Sequence, residues 1–405
     1  MKTINFLLAL TFVQYLLFAQ GKGNADFCPA SKPVFRVDYR FPTADKPQSK
    51  LWYMDNCWWA LLPKSSGPSL WQRTDHGWVE HSEINQALNG IPGRADVWAD
   101  ENRITAVGVD KHLLVVFRVE KSKNESGKKW VSEWLTTLVP PSEDDEIETA
   151  TIVQDHTGRW LVAADAGDKI CVWNSPDGRG KWEGPYILNQ GVSEDDICTI
   201  AVIPGGVGVM WSDQVHEAVR IRIHQDDQPD EKWEEVTTID AGNKTADDHL
   251  NTAVTADGTL WLVAKNSVDR VGKPQFVLRV RSPQGKWTNY PYCNLDSVKH
   301  PSRPVIIATE SDPPLLLSGH TLYNQANPYL GEIVFGVADT TKSGILEHLI
   351  PVIVPDTTGW IGSNLINDVT GPKKPFPQNA PWIVLASDKN GSVYEADLSF
   401  WFKQR

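Results

Sequence analysis

Residues 149–173 read TATIVQDHTGRWLVAADAGDKICVW, preceded by Asp144-Asp145-Glu146 and followed by Gly180-Lys181-Trp182. The same order returns twice. Asp195-Asp196 precede CTIAVIPGGVGVMWSD (198–213) and VRIRI (219–223), and Glu231-Lys232-Trp233 close that unit. Asp247-Asp248 precede NTAVTADGTLWLVAKN (251–266) and FVLRVRS (276–282), ahead of Gly285-Lys286-Trp287. Trp78 and Trp130 extend the closing column backwards, so Trp78, Trp130, Trp182, Trp233 and Trp287 recur every 51 to 54 residues. Trp160, Trp211 and Trp261 form a second column at intervals of 51 and 50.

Each unit holds four short apolar or alternating runs, separated by turn residues such as Pro204-Gly205-Gly206 and Asp257-Gly258. Alternation of period two, rich in Val, Ile, Trp and Thr, reads as strands. Strands in fours at a period of about 50 predict propeller blades. No apolar stripe of period 3.6 supports a βαβ unit, so the expected class is all-β.

Seven blades are expected, at residues 51–81, 95–134, 147–186, 197–239, 250–292, 304–349 and 365–397. The seventh lacks a fourth strand at the C-terminal end. The run Val34 to Asp38 can supply it and close the ring, leaving no long open edge. The recurring tryptophans are then wedges between adjacent sheets.

Composition narrows the partner. Eighteen Trp in 405 residues exclude a low-complexity, disordered chain. Fifty-one acids against 39 bases argue against nucleic acid, which needs clustered Lys and Arg. Lys2, the apolar run Phe6 to Phe18 and the small residue Ala19 read as an export signal over residues 1–20. Residues 21–405 are then one domain, with no transmembrane span. Five Cys (28, 57, 171, 198, 293) are an odd number for an exported chain, and they read as buried small apolar residues.

Blade strands run in and out, which sorts loops onto two faces. The entry face receives residues before each innermost strand and those between second and third strands. It gathers His249, His300, Arg303, His320 and Tyr323 as candidate catalytic groups, since His and Tyr can serve as base and acid. Arg94, His112, His216, Asp196 and Asp248 are the candidate substrate-binding groups on that face, and an Arg fork suits a uronate carboxylate. The far face offers Asp55-Asn56-Cys57, Asp75-His76 and Asp155-His156, which turn chemistry alone explains. Paired Asp lack the dense spacing of a dedicated calcium loop, so neither metal nor cofactor is expected.

The runs LWYMDNCWWALLP (51–63) and SLWQRTDHGWVEHS (69–82), within an exported seven-bladed chain, resemble glycoside hydrolase family 145 of Gram-negative polysaccharide degraders. The resemblance implies a periplasmic or cell-surface α-L-rhamnosidase releasing rhamnose from glucuronate in acidic arabinogalactan-type plant glycans. That family works through a first-blade His on the far face. The matching positions here are Asn56-Cys57, or alternatively Gln48-Ser49. Neither pair offers an imidazole, and an amide or hydroxyl takes up no proton near neutral pH. The first-blade centre is therefore expected to be impaired, leaving a glycan-binding protein or another active centre. Seven-bladed ulvan lyases resemble the chain more loosely, and they imply β-elimination by the His, Tyr and Arg cluster of the funnel.

Overall fold

A computed structural model describes residues 30–121, 130–268, 270–324, 327–341, 345–356 and 365–403. The export signal and Cys28 lie outside the described residues. Seven four-stranded antiparallel sheets form the ring, six of them built from four consecutive strands. The innermost strands are Leu51–Met54, Arg94–Ala99, Ala150–Gln154, Cys198–Ile203, Thr245–Val254, Lys299–Ala308 and Ile366–Thr370, in blades I to VII. In blade VII, Phe35–Arg36 pairs with Val393 and Ser392, so the N-terminal segment closes the ring as the sequence predicts.

Middle strands such as Leu113–Lys121 (LLVVFRVEK) are almost wholly buried, because a neighbouring blade covers each side of their sheet. The outer strand Trp130–Leu138 is instead buried only at its two ends and exposed or half-buried between them. Apolar clusters accordingly lie between blades. Trp52, Trp59 and Trp130 pack blade I on blade II, while Trp160, Trp173 and Trp182 pack blade II on blade III. Trp78 and Trp71 join the seam where the ring closes, and Phe35 stacks on Trp71 at 4.4 Å. The second tryptophan column is not one structural position. Trp160 begins the second strand of its blade, whereas Trp211 is sixth of eight residues in Gly206–Asp213. Both nevertheless fill inter-blade space, at 1% and 0% exposed.

Two segments close the axis. Residues 41–50 cross it on the entry face, with Thr43 bonded to Ser387 of blade VII and Ser49 N to Asp96 of blade II at 2.8 Å. On the far face, Pro372 bridges to Leu51 and Phe376 to Thr309, which carries Lys373 inward to Asp96 and the Ile152 carbonyl. Cys57, Cys171, Cys198 and Cys293 are free thiols, with Cys171 and Cys198 fully buried. Among the described residues no helix is long and apolar enough to cross a membrane.

Removing the chain through Asp38 leaves the outer edge of blade VII unpaired. The truncated protein is expected to melt at lower temperature and to associate at concentrations where the intact chain stays dispersed. Differential scanning fluorimetry and light scattering check this, and an unchanged midpoint without association would contradict the closure.

Candidate functional site

Three neighbouring blades share one irregularity at the entry face. In blade V, Ala246 pairs with Asn266 and Leu250 with Ala264, so residues 247–249 stand opposite Lys265 alone. In blade VI, Arg303 and Pro304 oppose the single residue His320. In blade VII, Asp368 and Val369 oppose Ala386. Extra residues in one strand bend it and re-aim its side chains. Ala246 (φ 105°), Arg303 (φ 54°) and Asp368 (φ 50°) all take left-handed backbone that L residues rarely adopt. Blade III reaches a similar end differently. There the Asp165 carboxylate, opposite the gap, receives the N–H groups of Glu148 (2.6 Å) and Thr149 (3.0 Å).

The bulges bring side chains from several blades to the funnel mouth. The Lys46 ammonium, carried by the axial segment, bonds Asp248 Oδ2 at 2.7 Å. His249 Nδ1 faces Asp247 Oδ1 at 2.5 Å and also Asp248 Oδ1. Ionised carboxylates only accept, so Nδ1 must carry the imidazole proton. Asp247 in turn takes Lys265 Nζ at 2.7 Å. Burial opposes the Asp247 charge, but the His249 bond and the Lys265 ammonium hold its carboxyl well below the usual range. Arg303 donates to the Tyr323 hydroxyl at 2.5 Å and lies 2.8 Å from Asp368 Oδ1 through Nε, while Tyr323 donates to Asn367 at 2.5 Å. Burial, against the nearby Arg303 charge, lifts the Tyr323 phenol above its ordinary value. Lys46, Arg303 and Asp368 together line the axial cavity.

Glu148 lines an open pocket of about 440 Å³ with Arg94, Lys111 and Glu146. Partial desolvation lifts its carboxyl above the ordinary range; the charges of Asp248 and Asp195 add to this, and Lys46 and Arg94 oppose it. A pocket of this size suits one or two sugar rings.

The cluster therefore unites His249, Asp248, Arg303 and Tyr323 from the sequence-based candidates. His300 is half-buried and stands opposite Tyr323 in the strand ladder. Arg94 sits on the rim, 3.3 Å from Asp45. Other candidates are placed elsewhere. His320 is a correction: it lies inside the strand Leu316–Asn324, fully buried and edge-on to Phe276, because it is the residue opposing the blade VI bulge. Asp196 is buried and accepts from Ser193 N (2.8 Å) and Gln214 N (3.0 Å), so it ties a loop. His112 is exposed in a blade II turn, and His216 is held by Asp213 at 2.8 Å beyond the funnel.

The first-blade positions divide. Gln48 and Ser49 are buried in the axial segment, with Gln48 bonded to the Ala150 carbonyl at 3.1 Å. Asn56 is at the exposed tip of a tight hairpin, and the Cys57 thiol receives Gln72 Nε2 at 3.3 Å. His81 approaches this spot, but its ring nitrogens are engaged by Gln72 (3.0 Å) and Glu83 (3.2 Å). Lys46, Glu148, Asp368 and Asn367 escaped the sequence reading. Glu148 lay in view, three residues beyond Asp145, but its neighbour looked like the acidic step of the repeat.

Asp247, Asp248 and His249 bring three ligand-type atoms within 4.8 Å of one another. Both carboxylates already have lysine partners, so the group needs no cation to balance it.

No protein-family model and no curated protein matches this chain. Solved structures with a similar fold include a protein of unknown function from Dyadobacter fermentans, 13% identical, with TM-score 0.44 over 91% of this chain and 98% of that one. Polysaccharide lyase Uly1 is 10% identical, with TM-score 0.45 over 89% and 92%. An α-L-arabinanase from Penicillium chrysogenum, solved with arabinobiose, is 10% identical, with TM-score 0.41 over 91% and 98%. At that distance the likeness carries no argument about the chemistry of this chain.

Burial pushes His320 down to about 3 from 6.5. The unfolded chain binds this proton below about 6.5 and the folded one does not, so stability falls as pH drops from there towards 3. His320→Leu should remove a slope of about 1.4 kcal/mol per pH unit. Asp165, lifted to about 7 by burial, acts with opposite sign but is common to both proteins. Urea midpoints at pH 8 and pH 4.5 check the difference; parallel losses in both proteins would contradict it.

Proposed function

We propose that the protein is a glycan-processing acid–base enzyme working at the entry-face mouth of its funnel. Glu148 is the proton donor and Asp248 its partner. The observation that carries this reading is two carboxyl groups brought to the entry face from different blades: Glu148, lining the open pocket with Arg94, and Asp248, bonded to Lys46 at 2.7 Å. Two carboxyl groups can divide acid and base roles at one site, and such pairs are the working parts of most glycoside hydrolases. Glu148 protonates the glycosidic oxygen as the C–O bond breaks. Asp248 activates water or attacks the sugar carbon directly. His249 holds Asp248 in place, and Arg303 holds Asp368 and Tyr323.

The substrate we propose is a glucuronate-bearing plant glycan, of which rhamnose-capped arabinogalactan is the example that the family resemblance implies. Residues 1–20, read as an export signal, would bring the propeller to such glycans outside the cytoplasm. Hydrolysis at the first blade is not favoured, because Gln48 and Ser49 are buried and His81 has both ring nitrogens engaged. Elimination by His249 is less favoured, because its Nε2 is buried and has no partner.

Purified protein incubated with rhamnosyl-glucuronate oligosaccharide and with arabinogalactan should release sugar with new reducing ends. Glu148→Gln should lower the rate at least roughly 100-fold, the scale of one acid–base group. Ultraviolet absorbance of an unsaturated uronate would support elimination instead. Binding without any product would make the protein a glycan-binding module.

A further inference from the structure

The axial segment does more than fill a hole. Residues 41–50 are tied to three blades by bonds independent of the funnel mouth. Thr43 joins blade VII through Ser387 at 2.6 Å, and Ser49 N reaches Asp96 of blade II at 2.8 Å. Gln48 reaches Ala150 of blade III at 3.1 Å, and Lys50 Nζ reaches the Ala95 carbonyl of blade II at 3.4 Å. Lys50 N bonds Thr370 of blade VII at 3.2 Å, and Ser49 Oγ bonds Gly371 O at 2.7 Å. Gln48 N closes a turn on Asp45 O at 2.9 Å, with Asp45 in left-handed backbone (φ 85°). Asp45 itself anchors to Arg94 at 3.3 Å and to Lys50 at 3.4 Å. The segment is thus a fixed strap, and Lys46 is the one residue of it that reaches blade V, at Asp248.

We propose that Lys46 is a positioning residue for the Glu148–Asp248 pair, delivered to the funnel by the N-terminal strap and not by any blade. The inference rests on the acid–base reading of those two carboxyls. The 2.7 Å bond fixes one Asp248 oxygen and leaves the other to His249. The same ammonium sets how readily Glu148 releases its proton. The charged groups that bear on Glu148 are Asp248 of blade V, Asp195 of blade IV, Arg94 of blade II and Lys46 of the strap, and Lys111, Asp144, Glu146 and Glu194 share its pocket. Asp165 faces its backbone N–H. Of the cations, Arg94 is already committed to Asp45 and Lys111 to Glu146. Removing the Lys46 charge takes away the cation that most opposes the Asp248 and Asp195 carboxylates. Glu148 then keeps its proton to higher pH, and the alkaline limb of activity moves up.

The test is a carboxyl-carbon NMR titration of glutamate-labelled protein, with Glu148→Gln assigning the signal. Lys46→Met should raise the Glu148 midpoint by about one pH unit, the scale of a nearby opposite charge. Lys46→Arg should return it close to wild type, because it restores the charge. The alkaline limb of kcat/KM should shift with the midpoint, whereas a purely structural role would lower activity at every pH alike. A Glu148 midpoint unmoved in Lys46→Met overturns the proposal, whatever the activity. A midpoint that moves while Glu148→Gln remains fully active upholds the electrostatic role and sinks the acid–base reading instead.

Discussion

Everything in this molecule depends on burial between neighbouring sheets. A four-stranded blade cannot cover both of its own faces, so each must press against two others, and only a closed ring satisfies all seven. Trp59 and Trp130 at one seam, Trp160 and Trp173 at the next, and Phe35 on Trp71 at the closure are the same solution in different residues. Large rings suit the wedge-shaped gap, since each buries an area that several smaller side chains would be needed to match. Close packing makes the frame stiff, and a stiff frame can hold loops from distant parts of the chain in fixed relation.

Against that regularity the inner ladders of three blades break at the funnel mouth. Blades V, VI and VII each carry an extra residue or two at the same level, with left-handed backbone at Ala246, Arg303 and Asp368. Such conformations cost on the order of 1–3 kcal/mol each, so they persist only where the surroundings over-determine them. Here they turn Asp248, Arg303 and Asp368 towards the axis, while Asp165, Lys265 and His320 fill the space behind. Position and chemistry are therefore linked: the residues facing the bulges are buried, while the bulges leave Asp248 and Arg303 partly exposed.

That distinction explains what could be read from the sequence. The tryptophan interval and the turn residues reveal the blades because packing between sheets recurs with the repeat. The closing role of residues 34–38 follows from counting strands. His320 looked like a loop residue because nothing in its neighbours announces a strand that continues to Asn324 past a bulge. Asp196 and Asp248 look alike in sequence, but one turns inward to bind backbone N–H groups and the other meets Lys46. Lys46 was invisible for a plainer reason. Its partner lies about two hundred residues away, across the axis, and no local pattern encodes a contact of that range.

The account stands or falls on where a sugar chain binds. A crystal structure of the Glu148→Gln protein with a glucuronate-bearing oligosaccharide would decide this most directly. The account predicts a sugar ring at the entry-face pocket, with its glycosidic oxygen beside residue 148 and the Lys46–Asp248 pair at its edge. Density confined to the far face, beside the first-blade hairpin, would contradict it.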